Sequence, residues 1–144
     1  MIKVICVGKI KEQYLKDLIN DYLKRINKYH KLDIIELKDS NIIDESKEIL
    51  KYVNNKDYII TMDINGNKLS SVELSKKIDN LLMNYSNLAF IIGGSYGLHD
   101  DVKSVSNYSL SFSDLTFPHG LFRGLLLEQI YRSFKILNNE SYHK

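Results

Sequence analysis

Short apolar runs rich in β-branched residues alternate along this chain with longer stretches whose apolar positions recur every three or four residues. Ile2 to Val7 is the first such run; Gly8 ends it, and it predicts a strand. Tyr14, Leu18, Ile19, Tyr22 and Ile26 then share one face at helical spacing, predicting an amphipathic helix over roughly 11–28. Leu32 to Leu37 predicts a second strand, Asp44 to Tyr52 a shorter helix and Asp57 to Met62 a third strand. Asp63-Ile64-Asn65-Gly66 supplies turn chemistry, since Asn-Gly readily takes positive φ. Ser70-Ser71-Val72-Glu73 has capping-box spacing, with Ser70 as N-cap and Glu73 at N3 of a helix running to about Met83. Leu88 to Ile92 is continuously apolar, as a central strand covered on both faces requires. A glycine-rich segment and a short polar helical stretch near Asp100 follow, then an alternating strand from Tyr108 to Phe112. His119 to Leu137 predicts the last and longest helix.

Strands joined by helices predict an α/β fold: a parallel-type sheet with helices on both faces and right-handed crossovers. With 144 residues and no linker, repeat or low-complexity tract, the expectation is one domain over 1–144. The apolar share of 44% and charged share of 26% exclude a disordered chain. A net charge of +2 neither identifies a nucleic-acid binder nor excludes one whose cations gather on one face. Cys6, the single cysteine, lies inside the first apolar run and reads as a buried strand residue rather than a reactive thiol. No Cys/His cluster reads as a zinc site. Charges at Lys9, Lys11 and Glu12 break any leader-like apolar stretch, and no run approaches the ~20 residues of a membrane span, so a cytoplasmic protein is expected.

Ligands of open α/β sheets bind beyond the carboxyl ends of the strands. Three loops there stand out: Met62 to Gly66, Gly93 to Leu98, and Ser111 to His119. They hold four of the seven glycines and the only proline. Gly93-Gly94-Ser95-Tyr96-Gly97 lets backbone amides approach a ligand, but matches neither the dinucleotide fingerprint nor a phosphate loop. In Ser113-Asp114-Leu115-Thr116-Phe117-Pro118-His119, Pro118 suits the first turn of the last helix and Thr116 its N-cap. Capping leaves His119 and the apolar Leu115 and Phe117 unexplained, whereas a bound adenine would use apolar walls and backbone donors together.

The last helix carries Arg123, Glu128 and Arg132 within an apolar band wider than one ~100° core stripe. Gly124 within it suggests close approach of another backbone, and the two features together suggest packing on a second subunit. The chain closes on Tyr142-His143-Lys144. An aromatic ring, an imidazole and a cation can stack on a base, exchange a proton and pair with phosphate.

Taken in order, these residues resemble one family. They are Val7-Gly8-Lys9, Ile92-Gly93-Gly94-Ser95-x-Gly97-Leu98, Leu110-Ser111-x-Ser113-x-x-Thr116-Phe117-Pro118-His119, Arg123, Glu128-Gln129-x-Tyr131-Arg132 and the terminal Tyr142-His143-Lys144. The family is the small bacterial and organellar SPOUT methyltransferases, which methylate N3 of a pseudouridine in 23S ribosomal RNA. The resemblance covers the whole chain. It implies a homodimer of the SPOUT fold, with a C-terminal trefoil knot that cradles S-adenosylmethionine. It further implies cofactor contacts at Met62, Gly94, Ser113, Asp114, Leu115, Thr116, Phe117 and Pro118. Met62 stands where the family usually has Leu, another flexible apolar wall for the adenine. The segment between Leu37 and Tyr58 is shorter than in typical members and lacks their Glu-Gly pair.

The tail lies at the dimer interface in the resembled family, which implies a pocket shared between subunits. His143, Tyr142 and Arg123 are then the candidates for catalysis, and Lys144 and His119 for holding RNA. No metal is expected, because methyl transfer from a sulfonium needs alignment and charge handling rather than a Lewis acid. Two other readings stay open: a non-catalytic α/β nucleotide- or RNA-binding module, and a SPOUT methyltransferase acting on tRNA. The intact tail favours catalysis, and the lack of an RNA-binding extension argues against tRNA.

Overall fold

A computed structural model describes residues 1–144. Five strands, β1 (Ile2–Val7), β2 (Leu32–Leu37), β3 (Tyr58–Lys68), β4 (Leu88–Ile92) and β5 (Tyr108–Ser111), form one sheet in the order β2-β1-β4-β3-β5. Every strand pair is parallel. The helices between and after them are α1 (Gln13–Asn27), α2 (Ile42–Leu50), α3 (Ser71–Asn84), α4 (Asp100–Lys103) and α5 (His119–Leu137). The fully buried β4 occupies the centre, where its uninterrupted apolar run placed it.

Period-two alternation splits each strand between two cores. Ile2, Val4 and Cys6 of β1 join a larger cluster with apolar residues of α1, α3 and α5. Ile5 and Val7 face the other way, onto Ile49 of α2 and Val102 of α4. Connections through α1 and α3 step one way along the sheet, and those through α2 and α4 step the other way. Each reversal of direction is thus matched by a change of face, as a single crossover hand requires.

Local chemistry explains most element boundaries. The capping box closes as expected: Glu73 N–H donates to Ser70 Oγ at 3.1 Å and Ser70 N–H donates to Glu73 Oε1 at 2.9 Å. Asn41, which the sequence pattern overlooked, caps α2 through Asp44 N–H at 2.9 Å, so that helix starts at Ile42 rather than Asp44.

The third strand departs most from expectation. It continues to Lys68, and Met62 and Asn67 both stand opposite Leu110 of β5, so residues 63–66 bulge from the ladder. Asn65-Gly66 is therefore no hairpin-like turn, and Gly66 is not at positive φ. Glycine is required there for a different reason. A Cβ on Gly66 would lie 2.7–2.9 Å from the backbone of Ser109 and Leu110.

Candidate functional site

The chain bends away from the sheet where β3, β4 and β5 end, and the three loops predicted from sequence converge there. They enclose a cavity of about 480 Å³, inside the ~300–1,000 Å³ range of small-molecule sites. Met62 and Ile64 of the bulged strand form one wall, Gly93 to Gly97 a second, and Ser111 to Phe117 a third. Phe112, Phe117 and Phe122 supply an aromatic side, with ring centroids 5.1 Å (Phe112–Phe122) and 6.2 Å (Phe117–Phe122) apart. Ile64, Phe112 and Phe122 were not singled out from sequence. Their apolar character satisfies strand and helix patterns equally well, so periodicity could not separate a wall from a core.

The glycine loop folds back on itself through a Gly97 N–H to Gly94 carbonyl bond of 3.0 Å. A Cβ on Gly93 would meet the Gly97 carbonyl oxygen at 2.5 Å, and Gly97 holds φ +77°. Gly94 lines the cavity, but a Cβ there would point at Val7 and Glu45, both at 3.1 Å. A larger residue at 94 would thus act by displacing the loop rather than by filling the pocket. Glu45 of α2 is buried behind this loop. It accepts Ser40 N–H at 2.9 Å, and its second carboxylate oxygen has no partner.

In the third wall, Ser113 Oγ accepts Leu115 N–H at 3.0 Å, which turns the loop and leaves Leu115 71% exposed at the cavity mouth. Thr116 lines the cavity but does not cap α5. Pro118 occupies the N-cap position, one residue before the expected first turn, and no side chain caps the helix. The first-turn N–H groups of α5 are left for solvent or a ligand. Asp114 stands outside the cavity lining, paired with Lys68 at 2.5 Å. Of the eight cofactor residues implied by the resemblance, Met62, Gly94, Ser113, Leu115, Thr116 and Phe117 meet at this cavity. Pro118 lines the adjoining one, and His119 lines both.

The candidate catalytic residues are not brought together within one chain. Arg123 is buried beneath β1: Nη1 donates to Glu36 Oε2 at 2.7 Å and Nη2 to the Gly8 carbonyl at 2.9 Å, while Nε has no acceptor. Glu128, farther along the same helix, binds Arg132 at 2.6 Å. Tyr142 folds back on the far half of α5. Its hydroxyl donates to Glu128 Oε1 at 3.0 Å, and its ring sits edge-on to Tyr131 with the Arg132 guanidinium 4.8 Å from its centroid. Burial first, then bonding to Tyr22 and Glu128, raises the Tyr142 phenol above the usual tyrosine range. His143 Nδ1 lies 3.1 Å from Arg132 Nη1. A guanidinium only donates, so a neutral His143 in this geometry carries its proton on Nε2, as a donor rather than a base. Thirteen residues of helix separate His119 from Arg132, ~20 Å of rise.

Gly124 also has a different role from the one expected. Its missing Cβ admits Leu18 of α1, 2.7 Å from where that atom would stand. The wide apolar band of α5 is largely covered within the chain by the sheet, α1 and α3. No group of three or more His, Cys, Asp or Glu is placed to hold a metal ion. No helix is long and apolar enough to cross a membrane.

Residues 1–143 match a family model described as "Predicted SPOUT methyltransferase". The chain is 50% identical to the ribosomal RNA large subunit methyltransferase H of Clostridium botulinum (strain Alaska E43 / Type E3), covering 99% of each chain. That match runs over 157 positions, more than the 144 residues here, so the relative has residues this chain lacks. Among solved structures, the fold is similar to a probable methylase family protein from Haemophilus influenzae Rd KW20. The TM-score is 0.57 at 10% identity, over 99% of this chain and 70% of that one. It is also similar to the SpoU methyltransferase AviRb from Streptomyces viridochromogenes in complex with AdoMet. There the TM-score is 0.51 at 9% identity, over 92% of this chain and 57% of that one.

Proposed function

We propose, for a chain that belongs to the SPOUT methyltransferase family, that it methylates N3 of a pseudouridine in 23S ribosomal RNA of the large subunit, in the cytoplasm, using S-adenosylmethionine. One coincidence carries the reading: the cavity walls implied by the resemblance meet in a chain matched end to end by an enzyme named for ribosomal RNA methylation. We further propose that the loops around β4 and β5 form a trefoil knot, a reading supported by the close passage of the Gly66 backbone against Ser109 and Leu110.

The residues present fit the cofactor. Met62, Leu115 and Phe117 offer apolar faces to an adenine, while the glycine loop and the uncapped start of α5 offer backbone donors. S-adenosylmethionine would supply an activated methyl group. The protein's part is to hold the acceptor in line with that methyl and exclude water. The N3 proton passes to solvent water before the acceptor is enclosed, and cationic and N–H groups of the site stabilise the negative charge left on the base.

The tail belongs to a partner's pocket in this reading. Tyr142 and His143 dock on the far half of α5, away from the cavity at its start, so two-fold pairing is needed to complete a site. His143 donates from Nε2 to the charged base, and Lys144 contacts phosphate. Tritiated methyl transfer to large ribosomal subunits, compared with naked rRNA, tests the substrate. Label appearing at a pseudouridine is the expected result, and binding of S-adenosylmethionine without transfer to any ribosomal particle would overturn it. Deletion of Tyr142 to Lys144 should abolish transfer while leaving calorimetric cofactor affinity within about twofold.

A further inference from the structure

A second cavity of about 360 Å³ adjoins the first and shares its walls at Gly94, Ser95 and His119. It opens between the end of β1 and the start of α1. Lys9, Glu12, Tyr14 and Asp39 stand around it, and Arg123 forms part of its floor. Three observations mark it as a binding site rather than a surface dimple. Arg123 is 2% exposed, and its Nε–H has no acceptor. Tyr14 is 70% exposed on an otherwise ordinary helix start, so its ring covers no core. Gly8 holds φ +100° and turns the chain so that Asp39 closes over it, the carboxylate 3.3 Å from where a Cβ would stand.

We infer that this second lobe receives the acceptor nucleotide, with Tyr14 stacking on the base and Lys9 pairing with its phosphate. The assignment rests on the methyltransferase reading and adds a location and two residues to it. The first cavity is already of complete small-molecule size and takes six of the eight residues implied for the cofactor, so the cofactor reaches the second only at its shared edge by Gly94 and Pro118. The acceptor atom must lie within reach of the methyl group, and the lobe that shares Gly94 and His119 meets that requirement. Its charge is mixed, with Lys9 and Arg123 against Glu12 and Asp39. Such a lining suits a ligand with one phosphate, ribose hydroxyls and a base edge that both donates and accepts, and it disfavours a polyanion. Carboxylates accept from ribose hydroxyls or an imide N–H, and an exposed tyrosine offers the stacking platform of single-stranded RNA recognition.

The experiment uses the full chain with Tyr14→Ala, Tyr14→Phe and Lys9→Ala. Three quantities are read: S-adenosylmethionine affinity by calorimetry, kcat/KM for unmethylated large ribosomal subunits, and binding of those subunits with S-adenosylhomocysteine present. Tyr14→Ala should lower kcat/KM at least tenfold and weaken subunit binding. Its cofactor affinity should stay within twofold, and Tyr14→Phe should restore most of the loss. Lys9→Ala should weaken subunit binding and flatten its salt dependence. A fivefold or greater loss of cofactor affinity in Tyr14→Ala would overturn the assignment and place part of the cofactor in this lobe. Wild-type kcat/KM in an active Tyr14→Ala protein would overturn it while leaving the substrate reading intact. A fall in molar mass by light scattering would also overturn it, since Tyr14 would then be a subunit contact. A wild-type chain that neither binds nor methylates large subunits would take both readings down together.

Discussion

At the scale of single residues, two groups are bound by their surroundings tightly enough to predict what a change would do. Gly66→Ala sets a methyl group against the Ser109–Leu110 backbone, which cannot swing away as a side chain would. Overpacking of this kind costs ~1–3 kcal/mol, so the denaturation midpoint should fall at unchanged m-value. An unaltered midpoint would mean the β3–β5 passage is looser than described. Cys6 is the second. Burial raises its thiol from 9.0 to about 11, against a smaller opposing pull from Arg123. The unfolded thiol ionises first, so the folded state holds the extra proton between those values. Stability from this group is therefore complete below pH 9 and falls as pH rises toward 11, by up to ~1.4 kcal/mol per pH unit. Urea denaturation of wild type and Cys6→Ala between pH 8.5 and 10.5 checks it; equal slopes would remove the effect. The same burial agrees with the strand role read from the apolar run.

At the scale of elements, caps and bulges determine where each segment starts and stops. Ser70→Ala removes the side-chain acceptor of the capping box and strands the Glu73 N–H, at a cost of ~1 kcal/mol. Thermal unfolding should register a drop of a few degrees, and Ser70→Asp should recover most of it. Helix α3 was legible to within a residue because its capping signal is local. The extension of β3 was not, because Asn65-Gly66 obeys turn chemistry in isolation, whereas its conformation is dictated by β5, some forty residues away in sequence. The start of α5 shows the same contrast. Thr116 has the chemistry of a cap, yet the cavity wall takes it and Pro118 fills the cap position.

At the scale of the whole molecule, the separation of the tail from its own cavity makes assembly part of the proposed mechanism. A tail-deleted chain mixed with a cofactor-pocket mutant should regain activity, because one of the two heterodimer sites is then intact. Verified heterodimers without recovery would reject the shared site. Within the chain, neither Gly124 nor most of the apolar band on α5 requires a second subunit to explain it. Leu18 accounts for Gly124, and α1 and α3 account for most of the α5 band.

Hydrophobic period and local capping were sufficient to determine the α/β class, the order of strands and helices and the three loops beyond the strands, since each depends on neighbours within a few residues. The ordered motifs further identified the family. Only the tertiary structure decided which loop residues share a cavity, that Arg123 is locked to Glu36 and Gly8, and that Tyr142 turns back onto Glu128. Those outcomes depend on contacts across 87 residues in one case and 115 in another. No local spacing encodes such distances. Packing the two faces of the parallel sheet brings those residues together.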